Sequence, residues 1–169
     1  MEKGKIGYII AGAVVTFALS AGVAWLSANP SWQSLAPGDA LVRISFTHGG
    51  DKSASCRDRT PEELAALPKN MRRAQVCDRQ RPPVQVELDV DGTQVLSREL
   101  APSGLRGSGV SRIYQRVVVP AGDHNFTARL RDNPATVGFD YEASTQVTLV
   151  PGQSFVIEFN SEKGGFVFK

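Results

Sequence analysis

Few side chains in this sequence have the chemistry of a metal ligand, a nucleophile or an acid–base catalyst. There are two cysteines and two histidines. Cys56 and Cys77 bracket the stretch CRDRTPEELAALPKNMRRAQVC. Such a pair can ligate a metal, cycle between thiol and disulfide, or close a structural disulfide. A metal centre would need His48 and His124 to converge on both cysteines. Thiol redox chemistry favours a Cys-x-x-Cys spacing, which is absent, as is a c-type haem signature. His48 precedes a Gly-Gly pair and His124 follows a turn, and neither neighbours a G-x-S-x-G nucleophile motif. Asp140 and Glu142, within GFDYE, are expected on the outward face of a strand, where acids serve solubility. The residues point away from an enzyme and call for no cofactor and no metal.

The elements that position these residues begin with IGYIIAGAVVTFALSAGVAWL, Ile6 to Leu26, which carries no charge. At about 1.5 Å per residue this helix covers roughly 30 Å, the hydrocarbon thickness of a bilayer. Lys3 and Lys5 precede it, and no basic residue follows before Arg43. The positive-inside rule then predicts a cytoplasmic tail over 1–5, a transmembrane helix over 6–27, a linker over 28–40 and an external domain over 41–169. Tyr8 and Trp25 fall where interfacial aromatics belong. The expected setting is a bacterial inner membrane, amino terminus cytoplasmic and carboxy-terminal domain periplasmic. A cleaved signal peptide is the rival, with GVA at 22–24 as its cleavage site, but the apolar run extends beyond it. Gly12, Thr16 and Ser20 recur every fourth residue and form a candidate face for packing against another helix.

An oxidising compartment makes a Cys56–Cys77 disulfide the expected state of the two thiols, clamping an insert over 56–77. Its interior, TPEELAAL, has a helix start: Thr60 as N-cap, Pro61 at the first position and Glu63 completing a capping box. Leu64 and Leu67 share a face and Pro68 ends the helix, which is too short to persist alone in water. Lys69, Arg72, Arg73, Arg79 and Arg81 follow, with Asp78 the one acid among them. They are candidate contacts for an acidic partner or for anionic lipid.

Beyond the linker, apolar residues alternate as half-buried strands require. LVRISFTH places Val42, Ile44 and Phe46 on one side. VQVELDV does the same with Val84, Val86, Leu88 and Val90, and Asp91-Gly92 is a hairpin signal. RIYQRVVV is expected to close at the turn PAGDH. NFTARLRD turns Phe126, Ala128 and Leu130 inward, and FDYEASTQVTLV, SFVIEF and FVFK complete the series. Regular spacing between Gly/Pro turns predicts an all-β fold, an immunoglobulin-like antiparallel β-sandwich behind one membrane helix. The succession VELDVDGTQV, VVVPAGDHNFTARLRD and VTLVPGQSFVIEF resembles the PEGA-type and carboxypeptidase-regulatory-like modules of bacterial envelope proteins, over about residues 84–159. The resemblance implies a non-catalytic envelope domain; the insert over 56–77 and the APSGLRGSGVS loop depart from a minimal module.

A net charge of +2 and the lack of any RNA- or DNA-binding signature exclude nucleic acid as the expected partner. The expectation is an accessory, assembly or stabilising subunit of a larger membrane complex, such as a respiratory or other energy-transducing one. A free-standing binding module for glycan, peptide or peptidoglycan would need an aromatic platform, yet Trp25, Trp32 and Tyr114 are scattered. The remaining alternative is a small thiol-redox or metal-handling protein.

Overall fold

The computed structural model describes residues 2–29 and 35–169, so Trp32 and the middle of the expected linker lie outside the described residues. The chain divides into two units, Met1–Ala36 and Pro37–Lys169. The first contains α1, Glu2–Ala28. Within it Lys5–Ala28 is long and apolar enough to cross a membrane, with mean hydropathy 2.1 and no part of its most apolar window buried.

The second unit is built from strands whose side chains alternate between core and surface. β1 (Asp39–His48) starts inside the stretch expected to be linker, and Ala40 is already buried. Two short strands, β2 (Arg57–Asp58) and β3 (Gln75–Val76), pair across the insert around α2 (Pro61–Ala66). β4 (Val84–Val90) and β5 (Thr93–Leu100) form a hairpin through Asp91 and Gly92, at φ 53° and 78°. Both values lie in the left-handed region that a two-residue hairpin turn demands. β6 (Ser111–Pro120), β7 (Gly122–Arg131), β8 (Tyr141–Leu149), β9 (Ser154–Asn160) and β10 (Gly165–Phe168) complete the unit.

The longer strands form two four-stranded sheets, in the orders β10-β9-β1-β6 and β5-β4-β7-β8. PAGDH does not close a hairpin. Gly122 already begins β7, and the chain passes there from one sheet to the other. The sheets are not wholly antiparallel either, because β1 runs antiparallel to β6 and parallel to β9. β6 and β9 run in opposite directions, so any strand inserted between them must be parallel to one. The turn after β8 fastens this arrangement: Gly152 N–H donates to the Asp39 carbonyl at 2.7 Å, and Leu41 N–H to that of Gln153 at 2.8 Å.

Inward side chains of both sheets share one core, which includes Val42, Ile44, Val84, Val86, Leu88, Phe126, Leu130 and Ile157. Rings bridge the layers: Phe126 of β7 lies 5.1 Å from Phe155 of β9, and Tyr141 of β8 lies 4.9 Å from Phe159 of β9, centroid to centroid. Every inward residue expected on LVRISFTH, VQVELDV and NFTARLRD is buried. Phe126, fully buried at this junction, should be the costliest single truncation. Phe126→Ala is expected to lower unfolding free energy by about 3–5 kcal/mol, read from urea denaturation of the full chain in detergent.

Candidate interaction surfaces and polar clusters

The insert forms as its local sequence requires. Cys56 and Cys77 are joined in a disulfide, which leaves no free cysteine. Thr60 caps α2 in a complete capping box: its Oγ1 accepts from Glu63 N–H at 3.3 Å, and Glu63 Oε2 accepts from Thr60 N–H at 3.1 Å. Arg57 adds a two-pronged contact to the Glu63 carboxylate at 2.8 and 2.9 Å. That guanidinium and the Thr60 N–H hold the Glu63 carboxyl down at about 2. No residue of α2 is buried, although Leu64 and Leu67 are half-buried. Clamp, cap and ion pair therefore hold an exposed arm that has little core of its own.

The five basic residues expected to face a partner have different positions. Arg81 points into the β unit, donating to the carbonyls of Gly50 at 3.0 Å and Ser108 at 3.3 Å. Arg72 folds back onto α2, where Nε donates to the Leu67 carbonyl at 3.0 Å. A cation there meets the carbonyls that a helix end leaves unpaired. Lys69, Arg73 and Arg79 are exposed, with Met71 beside them 60% exposed. Lys69, Met71 and Arg73 lie within the arm, and Arg79 just beyond its closing Cys77.

Along α1, Gly12, Thr16 and Ser20 are exposed, and a Cβ at Gly12 would meet nothing within 4 Å. Thr16 Oγ1 donates to the Gly12 carbonyl at 2.9 Å, so that hydroxyl is satisfied inside its own helix. The face is open, and close approach of another helix would rest on small size more than on a Thr16 hydrogen bond.

The histidines anchor opposite kinds of cluster. His124 bridges two acceptors, Asp91 Oδ2 at 2.7 Å from Nδ1 and the Pro120 carbonyl at 2.8 Å from Nε2. Both contacts are satisfied together when each ring nitrogen donates, so the pair favours the imidazolium. Asp91 raises the His124 pKa against a smaller opposing effect of burial. The Asp91 carboxyl is lowered first by the Asn125 N–H, 2.8 Å from Oδ1, and then by His124. An open groove of about 420 Å³ lies beside them, lined also by Asp123, Gln146 and Thr148.

At the β1 end, His48 Nε2 is hydrogen-bonded to Asp132 Oδ2. Burial pushes the Asp132 carboxyl up while His48 opposes it. Asp140 is not on an outward strand face. It precedes β8, and its Oδ2 accepts from the N–H groups of Asp132 at 2.8 Å and Asn133 at 3.0 Å. Burial works against its charge, but Thr136 and those N–H groups hold its pKa below the usual value. Asn133 in turn donates to Asp51 Oδ2 at 3.2 Å. The cluster ties the loop after β7 to Asp51, in the segment between β1 and the insert, a role that spacing in the sequence does not signal. Among the described residues, no group of three His, Cys, Asp or Glu side chains is arranged to hold a metal ion.

No protein-family model matches the chain, and no curated protein matches it.

Two measurements probe these clusters. The Cys56→Ser/Cys77→Ser variant should lose amide-exchange protection across residues 57–76, with the loop-closure entropy of about 3 kcal/mol confined to the arm. Protection in β4 and β7 should remain unchanged. The His124–Asp91 pair has a defined pH signature. A raised histidine pKa stabilises fully below the ordinary histidine value and is lost as pH rises through the native one. A lowered aspartate pKa stabilises above the ordinary aspartate value and is lost as pH falls through the native one. The stability gap between wild type and His124→Gln should therefore be widest between about pH 5 and 6. It should narrow on both sides in urea titrations across pH.

Proposed function

We propose that this protein is a single-pass, non-enzymatic subunit of a larger complex in a bacterial inner membrane, amino terminus cytoplasmic and β unit periplasmic. The observation that carries the reading is α1, an apolar helix exposed along its whole described length. Such a surface is stable only against lipid or other apolar helices. Lys3 and Lys5 ahead of the uncharged run Ile6 to Leu26, with no basic residue after it before Arg43, support the orientation. The disulfide supports an oxidising compartment.

An accessory or stabilising role is supported by the placement of contact surfaces. Gly12 leaves room for a neighbouring helix, and the arm carries Lys69 and Arg73 toward solvent, with Arg79 just beyond it. The two stacked sheets, with a hairpin at Asp91-Gly92 and a turn at Gly152, support an immunoglobulin-like sandwich similar to PEGA-type modules. An acidic partner surface, with anionic headgroups as a second contact, fits the arm's charge.

Extraction of the native membrane in mild detergent, followed by native electrophoresis, should show the chain migrating with larger subunits. Gly12→Leu/Ser20→Leu should reduce that co-migration about tenfold while leaving membrane insertion intact. A chain that migrates alone from native membranes would refute the reading.

A further inference from the structure

The strand registers sort charge onto opposite faces of the β unit. In the β10-β9-β1-β6 sheet, Arg43 stands opposite Arg116, Ser45 opposite Tyr114 and Thr47 opposite Arg112. Arg43 also faces Val156 of β9, which pairs through its backbone with Lys169. The outward face therefore carries Arg43, Arg112, Arg116 and Lys169 against Asp39 and Glu158, and Glu158 is bound to Lys169 at 2.6 Å. Among the described residues no carboxylate pairs with the three arginines. Arg43 Nε is buried without a hydrogen-bond partner. Like charges set opposite each other in a sheet are destabilising, so the face gains from an anionic neighbour. Tyr114, 62% exposed, and Val118, 54% exposed, lie among these cations. Tyrosine and arginine are the residue types that dominate binding energy at interfaces.

The β5-β4-β7-β8 sheet has the opposite balance. Glu87 and Asp89 of β4 and Glu142 of β8 share the cation Arg129, at 3.8, 2.8 and 3.5 Å, and the other outward cation of β7, Arg131, donates to Gln85 at 2.7 Å. Glu99 faces outward opposite Gln85 with no ion partner among the described residues, and Asp89 Oδ1 is buried unbonded. The β unit thus presents one face on which cations outnumber acids and, on its other side, one on which acids outnumber cations.

We propose that this protein associates front to back with further copies of itself, the basic face of one copy against the acidic face of the next. The contact is heterologous, so it propagates or closes into a ring, and it inverts no copy. Neighbours are related by a displacement for an open array, or by a displacement with a rotation about the membrane normal for a ring, and either lets every amino-terminal helix keep one direction. Complementary potential supplies specificity and association rate, and confinement of tethered copies raises their effective concentration. The inference is independent of the larger complex proposed above.

Full chain carrying donor or acceptor fluorophores, in phosphatidylcholine vesicles, tests it by energy transfer. Wild type should self-associate, and raising salt toward about 1 M, where screening acts within about 3 Å, should dissociate it. R112E/R116E makes both faces acidic and E99R/E142R turns the acidic face toward basic, all four positions being exposed. Each variant alone should lose self-association about tenfold or more. Mixed together, the two should regain transfer, because each supplies the face that the other lacks; this also shows that both are folded. Monomeric wild type, a variant that self-associates as wild type does, or a mixture that fails to recover would overturn the proposal. Loss in R112E/R116E with wild-type behaviour in E99R/E142R would assign the basic face to a different anionic partner and would equally overturn it.

Discussion

The alternation of strand side chains is the constraint on which the rest of this β unit depends. Burying Val42, Ile44 and Phe46 of β1 commits the intervening Leu41, Arg43 and Ser45 to the other side of the sheet. Burying Phe126, Ala128 and Leu130 of β7 likewise sends Arg129 and Arg131 outward. One core, closed by rings that cross between the sheets, therefore determines two surfaces as well as one interior. The charge division between those surfaces follows from register, since pairing decides which outward residues become neighbours.

Polar chemistry is concentrated where strands end, because backbone N–H and C=O groups there lose their ladder partners. Asp91 binds the Asn125 N–H and the His124 ring, fixing the β4–β5 turn to the start of β7. Asp140 binds two N–H groups of the loop that follows β7, and Asp132 meets His48 at the end of β1. These carboxylates hold crossings between elements together. The insert solves the same problem without a core, by a disulfide, a capping box and the Arg57–Glu63 pair.

The longer strands, the Asp91-Gly92 hairpin, the capping box and the apolar helix were legible in the sequence because each is a local property, whereas the short pair β2–β3 within the insert was not. Side-chain period, turn chemistry and helix capping act within a few residues, and α1 needs only length and apolarity. The cysteine pairing was legible too, given an oxidising compartment. The roles of individual charged residues were less so. Arg72 and Arg81 read as free cations in a basic segment, yet one caps α2 and the other binds carbonyls at Gly50 and Ser108. Asp140 read as a strand residue, and its two N–H partners lie across a loop.

By itself the sequence determined the longer secondary elements, the inward residues of β1, β4 and β7, and the presence of a helix apolar enough for a membrane. Only the tertiary structure decided that β1 lies between β6 and β9, parallel to one of them, and that PAGDH carries the chain between sheets. Pairing partners far apart along the chain are chosen by collective burial, which no local pattern encodes. The same pairing sets Arg43 beside Arg116 and gathers Glu87, Asp89 and Glu142 around Arg129. Those arrangements exist only once distant strands share a sheet.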